Sequence, residues 1–279
     1  MGRTIRLGEL LVGTEGAALF RHLLDCDDAF ASERIASITR LLGELDGGPL
    51  SISAEVPELD VASGYAAWAP SYDSMSNSLI RAEEPLVQSA TRDLPIGTAL
   101  DAACGTGRHA AWLSAAGHRT IGLDATSEML AIARQRVPGA EFKLGDFTSL
   151  PFDDDAFDFA ICALALTHLN DPIPAIRELA RVVRPGGRIV LTDAHPTFVM
   201  MQGQAMFPSG KGLAFVRNYP HLHGTYLRAF QSVGLAVRDC LEAPFESDFR
   251  EGMYAKVADA AAALWDGIPV ALVWSLQKD

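Results

Sequence analysis

Residues 98–117, TALDAACGTGRHAAWLSAAG, run from an apolar stretch into Asp101, through Gly105-Thr106-Gly107, and into an alanine-rich helix former. That order reads as strand, tight loop and helix start. Small residues let the backbone approach a ligand, and the helix N-terminus follows it. With Ala110 the loop fits G-x-G-x-x-A, a pattern that several cofactors share. Charge separates them. A dinucleotide would bring its pyrophosphate anion to the helix terminus, where Asp101 would repel it, whereas a cationic ligand group would be favoured.

The histidines are the other chemistry-bearing group. His168 follows one apolar strand pattern and His195 the next, while His221 and His223 flank the end of an insertion. Three readings fit them. One is a general base, led by His168 and His195. Another is a metal site from Asp193, His195, His221 and His223. The third is helix caps and satisfied loop residues. The reading taken forward is catalytic His168 and His195 with no metal. His22, His109 and His118 read as structural or surface residues.

The elements that would position these residues alternate. TALDAAC, RTIGLDA, AEFKLGD, FDFAICALAL and GRIVLTDAHP read as strands, separated by helices such as SEMLAIARQRV, with Thr126 or Ser127 as its N-cap, and DPIPAIRELARVV. HGTYLRAFQSVG, residues 251–267, and two closing strands, LAVRDCLEAPF and IPVALVWSLQ, complete the chain. Such alternation implies a parallel sheet covered on both faces. Ahead of it, residues 5–46 read as helices, with Ile35, Ile38, Leu41, Leu42 and Leu45 on one face and Gly47, Gly48 and Pro49 as the stop. Residues 51–75 read as an aromatic linker, and a third helix is expected near 77–92. The organisation expected is a helical extension and cap over 1–75 and a ligand-binding domain over 76–279. A lid insertion over 197–222 sits beyond a strand's carboxyl end, where ligands bind in open α/β sheets.

LDAACGTGR resembles motif I of the class I S-adenosylmethionine-dependent methyltransferases. IGLDATSEML, GDFTSLPFDDDAFDFAICALALTHLND and ELARVVRPGGRIVLTD resemble the segments that follow it, in order. The likeness is dense over 98–194 and loose over 224–276, and is nearest to small-molecule enzymes of the ubiquinone/menaquinone-biosynthesis type. It implies a Rossmann-like, doubly wound, seven-stranded and mostly parallel sheet of order 3-2-1-4-5-7-6, its last strand antiparallel. It also implies S-adenosylmethionine as cofactor. Asp101 would engage the methionine end beside Ala103, Gly105 and Gly107. Asp124 would take the ribose hydroxyls, with Ala125 next to it, or else cap the next helix. Met129 would pack on adenine or simply fill the core. Asp146 and the Phe147 N–H would meet adenine, and Ala163 and Leu164 would approach by backbone. The Tyr72-Asp73 pair would lie over the methionine end, unless Tyr65, Trp68 and Tyr72 merely anchor the N-terminal helices. Where the family has glycine this chain has Ala103, which is tolerable if its φ is negative. In the insertion Met201, Gln204 and Phe207, with Tyr65, His221 and His223, would face an organic acceptor; its apolar residues equally suit a core or a dimer contact.

Composition narrows the alternatives. The net charge of −12 and the lack of a Lys/Arg run argue against a nucleic-acid partner. Only four of 23 basic residues are lysine, an Arg- and Ala-rich usage that points to a high-GC bacterial genome. Cys26, Cys104, Cys162 and Cys240 are scattered, so neither a zinc knuckle, a disulfide framework nor an arsenite-acceptor cluster is suggested. No signal-peptide core or membrane-length apolar run is present, and a cytoplasmic protein is expected. Methyl transfer to oxygen or carbon of a small molecule is the leading expectation. A non-catalytic scaffold and an NAD(P)-dependent oxidoreductase are the alternatives.

Overall fold

In this computed structural model the described residues are 3–45, 48–74, 77–210, 212–246 and 249–279. The chain opens with strand β1 (Arg3–Arg6), helices α1 (Leu7–Arg21) and α2 (Asp28–Gly43), strands β2 (Ser53–Val56) and β3 (Glu58–Leu59), and helices α3 (Val61–Trp68) and α4 (Ser78–Thr91). The alternating part follows: β4 (Thr98–Ala102), α5 (Arg108–Ala115), β5 (Arg119–Asp124), α6 (Ser127–Arg136), β6 (Glu141–Leu144), β7 (Phe157–Ala163), α7 (Ile173–Val182) and β8 (Val183–Ala194). Beyond it come α8 (Pro196–Met200), β9 (Ala205–Ser209), β10 (Gly212–Val216), α9 (His223–Ser232), β11 (Leu235–Pro244), α10 (Ala258–Trp265) and β12 (Pro269–Lys278).

The main sheet has seven strands in the order β11-β12-β8-β7-β4-β5-β6. Strands β6, β5, β4, β7 and β8 run parallel, and β12 is antiparallel to both of its neighbours. This is the order and polarity that the motif resemblance implies. The central strands are largely apolar and buried because both faces are covered. On one side Leu100, Ala160 and Leu191 pack with α7 and α9; on the other Ala99, Phe159, Ile161 and Val190 pack under α4 and α5. Helix α7 shows why it docks there: Ala175, Ile176, Leu179 and Ala180 recur at helical spacing and are buried.

The N-terminal region differs from its expectation in three ways. Arg3–Arg6 is a strand that pairs antiparallel with Ser53–Val56, so the segment is not helical throughout. Helix α2 buries Leu41, but Ile35 and Leu42 are 56% and 51% exposed, so the expected apolar face is only partly used. The aromatic linker is itself ordered, as β2, β3 and α3. Helix α1 packs Leu11 and Ala18 against Leu41 of α2 and against Ala260 and Leu264 of α10. Helix α2 stops at Gly43, and Gly47, expected at its end, lies outside the described residues, as does the boundary between residues 75 and 76.

The insertion after β8 is a short helix and a β9–β10 hairpin. Strand β3 adds to β10 in parallel, making a three-stranded sheet. Helix α3 lies close on it: a Cβ at Gly64 would come 2.2 Å from the Val216 side chain. That approach sets Trp68 on Phe207 of the small sheet and Tyr65 beside His168, beyond the carboxyl end of β7. All four cysteines are free thiols. No described helix is long and apolar enough to cross a membrane.

Candidate active site

The carboxyl ends of β4, β5, β6 and β7 open into a cavity of about 250 Å³. Tyr72, Ala103, Gly105, Asp124, Ala125, Asp146, Phe147, Ala163 and Leu164 line it, with Tyr65 and His168 at its border. Asp124 organises the floor. Its Oδ2 accepts the Gly105 N–H and its Oδ1 the Thr126 N–H, both at 2.8 Å. A carboxylate offers about four lone-pair sites, so capacity for further donors remains. Burial raises its pKa. Gly105 has a φ of +53°, and a Cβ there would meet nothing within 4 Å, so it would project into open space.

Two non-glycine walls are strained. Ala103 has a φ of +57° and Leu164 of +54°. The expectation that alanine is harmless at 103 required a negative φ, and the structure overturns that condition. The left-handed region costs an L-residue roughly 1–2 kcal/mol, and such strain concentrates at functional sites.

Asp101, Gly107 and Met129 do not line this cavity. Asp101 is buried behind the loop, where its Oδ2 accepts the Ala110 N–H at 2.8 Å and so holds the first turn of α5. Burial pushes its carboxyl up to about 6, against the pull of His109, that amide and Arg108. Gly107, at a φ of +79°, lets the loop pack on α6: a Cβ there would come 3.1 Å from the Ala133 Cβ. Met129 belongs to the buried face of α6 with Leu130 and Ala133.

A second cavity, of about 200 Å³, shares Tyr65, Tyr72, Leu164 and His168 with the first. Its remaining walls include Trp68, Asn77, Ser78, Leu79, Thr167, Phe198, Gln204, Met206, Asn218 and Phe245. At the junction the His168 Nδ1 lies 3.0 Å from the Arg217 carbonyl, which can only accept, so Nδ1 carries the proton. Nε2 is then the lone pair, and the Tyr65 hydroxyl donates to it at 2.7 Å. Burial lowers the pKa of His168 and holds the Tyr65 phenol well above 10. Asp193 supports the turn behind them. It accepts the Thr167 and Ala194 N–H groups at 3.0 Å each and the Tyr226 hydroxyl, and burial pushes it up to about 7. Two polar atoms of this cavity's lining residues are buried without a partner: the Trp68 Nε1–H and the Asn218 Oδ1. A buried group left so costs about 1–3 kcal/mol.

Other expected site residues lie elsewhere. His195 does not reach either cavity; its Nε2 meets Glu242 at 3.1 Å, and His223 meets the same oxygen at 2.9 Å. His221 is held by the Leu166 and Leu169 carbonyls. The four-residue metal set is therefore not assembled. What converges instead is His195, His223 and Glu242. Because the Thr197 N–H donates to the His195 Nδ1, its Nε2 carries the proton and donates to Glu242. A metal on that Nε2 would shift the proton onto Nδ1, facing the Thr197 N–H. The cluster is a carboxylate gripped by two imidazoles. Met201 packs into the α1–α10 core, and Phe207 stacks beneath Trp68 at 5.0 Å and 11°. Gln204 does line the second cavity, and its Oε1 accepts the Asn218 N–H at 2.7 Å.

Several supporting residues escaped the sequence reading. Glu83 of α4 is fully buried; it takes the Thr192 hydroxyl at 2.9 Å and pairs with His109 and Arg108 at 3.1 and 3.0 Å. Despite burial, His109 and Arg108 hold its carboxyl below the usual range. Thr192 in turn receives the strained Leu164 N–H. The detectable signal is spacing: Glu83 shares the buried face of α4 with Val87 and Thr91. Asp73, expected with Tyr72 over the methionine end, does not line the first cavity: it accepts the Thr106 hydroxyl at 2.9 Å and pairs with Arg136 at 2.5 Å, tying the aromatic strap to the glycine loop. Glu58 grips Arg217, whose carbonyl orients His168, at 2.6 Å. No local pattern announces either tie.

Known proteins are similar over the same part of the chain. Residues 100–191 match the methyltransferase domain family. A demethylmenaquinone methyltransferase of Renibacterium salmoninarum is 35% identical over 144 residues, 50% of this chain and 61% of the relative. Methyltransferase GfsG of Streptomyces halstedii is 32% identical over 174 residues, 57% of this chain and 62% of the relative. The chain thus spans less than two thirds of either relative. A solved S-adenosylmethionine-dependent methyltransferase from Mesorhizobium loti superposes with a TM-score of 0.53 at 24% identity, covering 71% of this chain and 98% of that one. Residues 100–191 thus resemble a methyltransferase domain, and the chain shares the Rossmann-like fold of that solved structure.

Proposed function

We propose that this chain is an S-adenosylmethionine-dependent methyltransferase that methylates a hydroxyl of a small organic acceptor. The observation that carries this reading is the junction of the two cavities at Tyr65 and His168. The first cavity suits the methyl donor. Asp124, its oxygens already aligned by two amides, has capacity for a ribose diol. Asp146 and Phe147 flank the place for adenine, and the open space at Gly105 admits the backbone-side approach that the donor needs. Bound there, S-adenosylmethionine supplies an electrophilic methyl group on a cationic sulfur.

The chain's own residues would do the rest. Residues 1–75 serve as the cap that brings α3 over the cavities. Tyr65 accepts a hydrogen bond from the acceptor hydroxyl. As that oxygen attacks, its proton moves to the Tyr65 Oη and the Tyr65 proton moves to the His168 Nε2. The lone pair of His168 is available for this because burial keeps the ring neutral. The Arg217 carbonyl fixes the tautomer, and the aromatic walls exclude water.

The experiment is methyl transfer from a donor bearing a deuterated methyl group to a panel of hydroxylated small molecules, with the product read by NMR. Label on oxygen is expected. Label on carbon, or none with the donor bound, contradicts the reading.

A further inference from the structure

The glycine loop leads into a place that favours the wrong charge. The amino end of α5 carries partial positive charge, and Arg108 and His109 are its first two residues. An anion is the natural guest of such an end. A donor with a cationic sulfur is not. Asp101, expected to reverse that preference, lies behind the loop instead, its Oδ2 on the Ala110 N–H, so its charge is directed into the first turn of α5. Another group must cancel Arg108.

Glu83 does so. It stands on α4, ahead of every stretch that resembles a cofactor motif, and is fully buried. Its Oε2 pairs with the Arg108 guanidinium at 3.0 Å and its Oε1 with the His109 Nε2 at 3.1 Å. The Thr192 hydroxyl donates to the same Oε1 at 2.9 Å. Burial raises its pKa, but these partners more than offset that, so the carboxylate is ionised near neutral pH. Glu84 also lies 3.9 Å from Arg108, but it is 37% exposed and water screens its charge. A second cation at the loop, Arg136, donates to the Thr106 hydroxyl at 3.1 Å and is held by Asp73. The field of the Glu83–Arg108 pair reaches the cavities. Tyr72 lines both of them, and burial pushes its phenol up to about 12 while Arg108 pulls it down and Glu83 pushes it up.

We propose that Glu83 determines the charge specificity of the first cavity: by cancelling Arg108 from behind the loop, it leaves the lining acids Asp124 and Asp146 to set the potential there, and that potential favours a cationic sulfur. This rests on the reading of the first cavity as the donor site. Glu83 touches no ligand and acts through Arg108. The same balance aids turnover. When the methyl group leaves, the sulfur keeps the bonding electron pair and becomes neutral, so the product loses the attraction that held the donor.

The test is calorimetric titration of S-adenosylmethionine and of S-adenosylhomocysteine, each alone, into the full chain and three variants. The two ligands differ by a methyl group and a positive charge on sulfur. A change in their affinity ratio between variants therefore reports charge at that atom, whereas a loss of packing lowers both affinities alike. Glu83→Gln keeps the side-chain shape but leaves Arg108 uncancelled, and the ratio is expected to fall about tenfold from the wild-type preference for S-adenosylmethionine. Arg108→Gln leaves the Glu83 charge in excess, and the ratio is expected to rise. In the double variant it is expected to return to within about threefold of the wild type, because the two effects share one pair. Arg108→Gln reads the effect with the opposite sign, so the proposal stays open to disproof if Glu83→Gln fails to fold. An unchanged ratio in either single variant overturns the proposal. So does a fall in Glu83→Gln that persists in the double variant, since Glu83 would then not act through Arg108. If both ligands bind the wild type and the ratios do not move, this inference fails and the donor reading stands. If neither ligand binds the wild type, the donor reading fails and takes the inference with it.

Discussion

The two cavities meet at one pair of side chains and are built in opposite ways. The first is made of strand ends and loop backbone, braced by short-range bonds such as Asp124 on Gly105 and Thr126. The second is made of side chains gathered from α3, α4, the β9–β10 insertion and the segment after β11. A site of the first kind is as rigid as the sheet that carries it. A site of the second kind holds its shape only through distant ties, such as Glu58 on Arg217 and Asp73 on Arg136. The difference matches the division of labour proposed: one constant cofactor, and one acceptor that sets this chain apart from relatives sharing the domain.

The largest expected effect lies at the junction. His168→Ala and Tyr65→Phe should each lower turnover by about 10²–10⁴-fold, the usual contribution of acid–base catalysis. Binding of S-adenosylhomocysteine should stay within a factor of about three, since neither side chain braces the donor floor. Steady-state kinetics with a parallel titration check this, and equal losses in both would dissolve the distinction between the halves. The pH dependence has a defined sign. The His168 pKa lies below 6.5, so turnover should hold down through pH 6.5 and fall only as the ring gains a proton at lower pH. A limb centred above 6.5 would point to another base.

A middle-sized effect separates the two glycines of the loop. Gly107→Ala forces a Cβ to 3.1 Å from Ala133 at a φ of +79°. It should destabilise the fold by about 2 kcal/mol through strain and overpacking. Gly105→Ala meets no atom, so it should cost only about 1 kcal/mol of backbone strain while obstructing the donor. Thermal melts and ligand titration of the pair would show one variant failing mainly in stability and the other mainly in binding. The smallest effect is a gain. Ala103→Gly should relieve about 1 kcal/mol of left-handed strain and raise the melting temperature by a few degrees. A lower melting temperature would mean that the alanine methyl contributes packing that the strain argument omits.

The same contrast explains what the sequence could reveal. Strands that alternate with helices, and acids or glycines at their carboxyl ends, lie within short windows. The strands and most of the first cavity's lining, Gly105, Asp124, Asp146 and Leu164 among them, were therefore legible, while the sheet order came only with the family resemblance. Asp101, Gly107 and Met129 sit in those motifs yet face inward, because a motif records which residues surround a ligand without recording which of them support it from behind. In the second cavity Tyr65, His168 and Gln204 were found, but His195, His221 and His223 were grouped on the wrong basis. Their partners are Glu242 and two backbone carbonyls, at separations where no periodicity operates. The insertion read as a loose lid because nothing in it signals that β3, some 150 residues earlier, completes its sheet. Ala103 looked like a minor departure from pattern, and only its φ shows that the chain retains a costly conformation there.

The most direct test of the account is a calorimetric titration of S-adenosylhomocysteine into the wild-type chain and into Asp124→Ala. The account predicts that the wild type binds one equivalent and that the variant loses about 1.5–3 kcal/mol, more than tenfold in affinity, as expected for hydrogen bonds to a charged group. An absence of binding to the wild type, or the same dissociation constant in both, would contradict it.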